Sequence, residues 1–229
     1  MKTKILTLMI LLSSFLSIGQ TKQMEVGAIL ETTTAYRDYS ISDFEKDIKF
    51  TGLFEENGMF YIKPVDVSFH MDIVDCTGDS ALGFWTSDYD CLFLFIDFEG
   101  YNDAPIESIN RGKEITMSVN EQFNFTCNNI NYTLQADGEM EDSDTKNYKL
   151  TLSKSDCETK QTIVSHEYIK STEVTILFIG DIDGDNEPDI ILNAPDNYEN
   201  RWIMLFLSST KQELELLHLE AEDFNWFDC

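Results

Sequence analysis

The densest chemistry in the chain lies in nine residues, Asp181-Ile182-Asp183-Gly184-Asp185-Asn186-Glu187-Pro188-Asp189, with aspartates at the first, third, fifth and ninth places. Carboxylates crowded in this way repel one another strongly unless a counter-charge sits among them. A hard cation that accepts six to eight oxygen ligands removes the repulsion, and calcium is the usual one. Gly184 allows the chain to turn sharply, and Asn186 tolerates a left-handed backbone beside it. A solvated acidic turn with no metal is the competing explanation, and it leaves the ligand-like spacing unaccounted for.

The pattern is not that of an EF-hand, whose twelfth loop position is a bidentate glutamate; here that position is Leu192. The flanks 174–179 and 190–192 are rich in Ile, Val and Phe, which favour strands over helices. Residues 180–192 resemble the FG-GAP or VCBS-type repeat, the calcium loop of integrin-alpha-like propellers, departing from it at Asn186, where glycine is usual. The resemblance implies side-chain oxygens from Asp181, Asp183, Asp185 and Asp189 as calcium ligands, with Glu187 contributing its backbone carbonyl. Strands at 172–179, 190–192, 202–207 and 213–219 would complete one blade-like unit, with a helix over 212–222 as the competitor for the last. The aspartate loop occurs once, so a propeller of several blades is not expected. The chain is similar in this respect to short secreted bacterial proteins that end in one such loop and a terminal cysteine.

Other groups that could do chemistry are weaker. Gly78-Asp79-Ser80 matches the nucleophile tripeptide of two hydrolase groups. No Asp-x-x-His follows near the C-terminus, however, and Ala81-Leu82 stand where trypsin-like enzymes have two glycines, so a polar turn is the better reading. His70, His166 and His218 fall on three separate expected strands without a ligand-spaced neighbour, which disfavours zinc. A carboxylate pair for hydrolysing an extracellular polymer is compatible with so many acids, and no catalytic residue is singled out. Phe84-Trp85, Tyr89, Tyr101 and residues 198–202 could line a glycan or peptide site; burial in a β core is the commoner fate of such rings.

Composition bounds the setting. The formal charge is −26, from 42 Asp and Glu against 16 Lys and Arg, a field that repels nucleic-acid phosphates and anionic membrane surfaces. Lys2 and Lys4, the apolar run 5–16 and the small residues Ser17 and Gly19 read as a signal peptide cleaved before Gln20, with an apolar run too short to anchor in a bilayer. The expected location is secreted, periplasmic or cell-surface. The five cysteines, Cys76, Cys91, Cys127, Cys157 and Cys229, show no C-x-x-C spacing. The favoured pairing, by proximity, is Cys76–Cys91 and Cys127–Cys157 with Cys229 left over.

The elements that must hold the loop read as strands almost throughout. Residues 50–55 and 59–63 flank Asn57-Gly58, a strong hairpin signal. Val65, Val67, Phe69, Met71 and Ile73 alternate with Asp66, Ser68, His70 and Asp72, which predicts a dry face and a wet face with His70 on the wet one. Residues 91–98 are almost wholly apolar, as a central buried strand requires. Further strands are predicted at 114–119, 122–126, 130–136, 148–153 and 162–169, with 137–147 as a loop. The expectation is an all-β protein of sandwich-like antiparallel sheets, with a β-rich domain over 20–165 and a calcium-loop unit over 166–229 packed on it.

Overall fold

Residues Ile203-Met204-Leu205-Phe206-Leu207 offer no polar side chain to solvent, and the fold asks for none: successive side chains enter two different cores. The computed structural model describes residues 28–32, 34–44, 48–73, 78–86, 91–101, 104–208 and 215–226. The expected leader and its cleavage before Gln20, together with Cys76, Tyr89 and Cys229, lie outside the described residues.

The described chain is all-β, with a single 3-10 turn at Ile41–Phe44. Its strands are β1 (Ile29–Glu31), β2 (Phe50–Glu56), β3 (Met59–Pro64), β4 (Val67–Ile73), β5 (Ser80–Thr86), β6 (Cys91–Ile96), β7 (Ile115–Thr116) and β8 (Gln122–Cys127). They continue as β9 (Ile130–Glu141), β10 (Asp144–Lys154), β11 (Lys160–Ile169), β12 (Thr175–Gly180), β13 (Asp189–Asn193), β14 (Asn200–Ser208) and β15 (Leu217–Trp226). Four antiparallel sheets result, in the orders β1-β6-β2-β3, β4-β5, β11-β10-β9-β8 and β15-β14-β13-β12-β7.

The β12–β15 meander is the layer on which the others stack. One face carries Phe178, Ile191, Ile203 and Leu205 into a core shared with Ile29, Leu53, Phe93 and Phe95 of the β1-β6-β2-β3 sheet. The opposite face carries Ile176, Ile190, Met204 and Phe206 against Leu134, Leu150 and Val164 of the β8–β11 sheet. The β1-β6-β2-β3 sheet is itself covered on its far side, where Leu30, Phe54 and Leu94 meet Leu82 and Phe84 of β5. Period-two alternation thus fills both faces of two sheets, which is why β6 and β14 read as unbroken apolar runs. Polar ties reinforce the stack: Arg201 on β14 grips Glu31 with two hydrogen bonds of 2.6 Å, and the Tyr39 hydroxyl donates to Asp223 of β15 at 2.6 Å.

The expected β2–β3 hairpin forms, with Asn57 at φ 55° and Gly58 at φ 80°, the left-handed pair that a tight hairpin turn demands. The last strand of the meander is β15, so the helical alternative for 212–222 does not hold over 217–222. The 137–147 loop is corrected: β9 and β10 run through it as a hairpin that turns at Asp142, φ 57°. Its charges mislead because this end of the hairpin projects past the core, where Lys146 pairs with Glu141. The dry face of β4 is corrected in part. Val67 and Phe69 pack inward, but Met71 and Ile73 are 47% and 70% exposed where the β4–β5 pair overhangs the layer beneath it. His70 is only half-buried on the other face, its ring 4.6 Å from Trp85. Strand β5 was unforeseen: Ala81-Leu82-Gly83-Phe84 are all buried and show no alternation, and Trp85 is 67% exposed.

Candidate metal centre

Strands β12 and β13 pair from Thr175↔Asn193 down to Gly180↔Asp189, and residues 181–188 form the loop between them. Apolar anchors fix both ends: Ile182 is fully buried in the core with Phe178, and Pro188 and Ile190 are buried on the return. The turn needs left-handed backbone at Gly184 (φ 82°) and Asn186 (φ 69°), which those two residue types supply at least strain.

The loop then folds its backbone N–H groups onto its own carboxylates. Gly184 and Asn186 donate to the two oxygens of Asp181 at 2.8 and 3.1 Å, and Asp185 donates to Asp183 Oδ1 at 3.1 Å. Glu187 donates to Asp185 Oδ1 at 2.8 Å. Asp189, with no exposed surface, accepts from Ile182 at 2.6 Å and Asp183 at 3.3 Å on Oδ2, and from Ser208 N–H at 2.8 Å on Oδ1. Apart from Asp189 Oδ2, which takes two of these bonds, each of the bonded oxygens keeps a second lone-pair direction, so every one of the four acids retains an oxygen that can take a ligand.

Of the five expected ligand residues, Asp181, Asp183 and Asp189 converge, each offering an oxygen within 4.8 Å of the others. Oxygens bound at 2.3–2.6 Å to one large cation lie at most about 5.2 Å apart, so the spacing fits. The donor set is all oxygen, which suits a hard ion, and this cluster can hold a metal ion. Asp185 takes the Ser208 hydroxyl on Oδ2 at 2.7 Å. The Glu187 side chain turns out of the loop: Lys154 Nζ lies 3.0 and 3.1 Å from its oxygens, and the Tyr132 hydroxyl donates to the same carboxylate.

Burial works against charge on three of these acids. Burial pushes the Asp181 carboxyl above its ordinary value, although the Asn186 and Gly184 N–H groups pull the other way. Burial does the same to Asp183, and the neighbouring Asp185 charge adds to it. Asp189 is pushed well above its ordinary value, chiefly by its burial.

Several residues around the loop had no signal in the sequence. Ser208, Tyr132, Lys154 and Asn128, whose amide donates to the Asn186 carbonyl, all come from other strands or turns. Cys127 does so too: its Sγ lies 3.9 Å from the Asn186 carbonyl, and burial, followed by the charges of Asp181 and Glu187, pushes the thiol up. The expected Cys127–Cys157 bridge is therefore corrected, both being free thiols. Strand β9 lies between the strands that lead to them, and two strand spacings of about 4.8 Å exceed the ~7 Å Cα limit of a disulfide.

The weaker candidates stay apart. Ser80 is an exposed residue at the start of β5. His70, His166 and His218 sit on β4, β11 and β15; His166 Nε2 bonds the Ala194 carbonyl at 3.0 Å and His218 lies 3.2 Å from Glu220. An open groove of about 1070 Å³, with Phe50, Phe69, Tyr101, Asp66 and Asp97 among its walls, includes no residue of the metal loop. No family model, no curated protein and no solved structure matches this chain.

Proposed function

We propose that this is an exported β-protein that binds one calcium ion at residues 181–189, the ion serving as a structural brace for the surface it presents outside the cytoplasm. The observation that carries the reading is the convergence of Asp181, Asp183 and Asp189 oxygens within 4.8 Å on a loop anchored at both ends by buried residues. The aspartate spacing adds to it, through its resemblance to the FG-GAP loop, and so does the basic-then-apolar start of the chain. Calcium would be held by the side chains of Asp181, Asp183, Asp185 and Asp189 and the carbonyl of Glu187, and what it supplies is counter-charge. The chain's own part is to keep those oxygens gathered: three N–H groups hold Asp189, and Lys154 and Tyr132 draw the Glu187 side chain aside.

A brace rather than a catalytic ion is the better assignment because the loop packs against strands on both of its sides, while the described groove lies elsewhere. The test is titration calorimetry of chelator-stripped protein with calcium and then magnesium, with thermal melting alongside. Calcium should bind and raise the melting temperature. Magnesium should substitute poorly, since it demands a tighter octahedron and keeps its waters. A melting temperature indifferent to chelator, with no heat of binding, would reduce the loop to an acidic turn.

A further inference from the structure

We propose that Ser208, a residue outside the loop, sets how tightly the loop holds its cation. The inference rests on the metal-binding reading above and adds a positioning residue to it. Ser208 is the last residue of β14, opposite Leu217 in the sheet, and is buried. It makes two hydrogen bonds to two different loop carboxylates: its N–H donates to Asp189 Oδ1 at 2.8 Å, and its hydroxyl to Asp185 Oδ2 at 2.7 Å. A hydroxyl has one proton to donate, and here it is committed to Asp185.

The two carboxylates differ in what else holds them. Asp189 keeps the Ile182 and Asp183 N–H groups whatever happens at Ser208. Among the described residues Asp185 has one other N–H or O–H donor, the Glu187 N–H at 2.8 Å from Oδ1, which leaves Ser208 as the donor that fixes Oδ2. The hydroxyl therefore decides where Asp185 stands relative to the converged trio of Asp181, Asp183 and Asp189. A partner that orients a ligand carboxylate commonly changes metal affinity by about 10–100-fold when removed. Nothing in the loop's sequence announces this residue, because it enters from a strand whose register with β13 runs Ile190↔Phe206.

The experiment is calcium titration calorimetry on the full chain, with melting curves in chelator as the control for folding. Ser208→Ala should weaken binding by about 10–100-fold while melting in chelator near the wild-type temperature, and Ser208→Thr, which keeps a hydroxyl, should bind within about threefold of wild type. Asp185→Ala cuts the same bond from the loop side and should also weaken binding; adding Ser208→Ala to it should cost little more. Wild type that binds while Ser208→Ala binds equally well or more tightly overturns this inference and leaves the metal reading standing. So does Asp185→Ala with unchanged affinity, a result that remains informative if Ser208→Ala fails to fold. Wild type that does not bind at all overturns the metal reading itself.

Discussion

Lys154 on β10 reaches across to the loop of another sheet and holds both oxygens of Glu187, at 3.0 and 3.1 Å. Its side chain is mostly covered, and its Nζ also lies 5.7 Å from the centre of the Tyr132 ring. Lys154→Met keeps much of the packing and, among the described residues, leaves the Glu187 carboxylate with the Tyr132 hydroxyl. The pair is partly exposed, so a loss of about 1 kcal/mol is expected in urea unfolding, smaller in high salt. Stability unchanged at low ionic strength would show the clamp to be idle.

The converging aspartates should respond to substitution in opposite ways. Asp183→Ala removes a ligand and some repulsion, so the variant should lose its calcium response and melt near the temperature of chelator-treated wild type. The stabilisation lost is about 2.7 kcal/mol at calcium a hundredfold above Kd.

Asp189→Asn should behave differently. Three N–H groups point at its two oxygens, and an amide has one oxygen to offer them. The variant should be destabilised by about 1–3 kcal/mol even in chelator. Chelator-treated Asp183→Ala and Asp189→Asn melting together would argue against this division of labour.

His166 supplies a pH signature unconnected with the metal. Burial holds its imidazole below the ordinary 6.5, against the opposing pull of the Ala194 carbonyl and the Asp196 charge. The folded state therefore resists a proton that the unfolded chain accepts. Stability from this group is full above 6.5 and is lost as the pH falls through 6.5 toward the lower folded value. Denaturant unfolding of wild type and His166→Gln across that range should give a shallower dependence for the variant; parallel curves would remove His166 as a source.

The thiols give a covalent check. Folded protein treated with an alkylating reagent, without reductant, should be modified at Cys157 first and Cys127 more slowly. Cys157 is exposed, whereas Cys127 is half-buried with its thiol pushed up. A peptide map joining the two would contradict the sheet order that separates them.

What could be read in the sequence was whatever the chain states locally. Asp181 to Asp189 declare a loop by spacing alone, Asn57-Gly58 declare a hairpin, and the apolar run from Cys91 declares a strand with neighbours on both sides. What escaped depends on distant partners. Ser208 and Lys154 act through position, and a serine or lysine at a strand end looks the same whether or not a carboxylate waits opposite. Strand β5 escaped because burial on both faces erases alternation, and the outer β9–β10 hairpin because projection beyond the core makes a strand as polar as a loop. Met71 and Ile73 show the reverse error, since an alternating pattern predicts a dry face only where something lies over it.

The layer order also bears on how the chain reaches its fold. The two sheets that flank the meander come mostly from residues 29–96 and 122–169, and the meander that separates them spans 175–226. During synthesis the middle of the stack is thus made after the two sheets that flank it. Until it arrives, each flanking sheet shows an apolar face with nothing to lie against, and such faces seek one another or another chain. A chain that ends before Thr175 should aggregate rather than persist as a smaller β-protein. Closure of the stack waits on residues 175–226, a long-range search of the kind that makes folding slow.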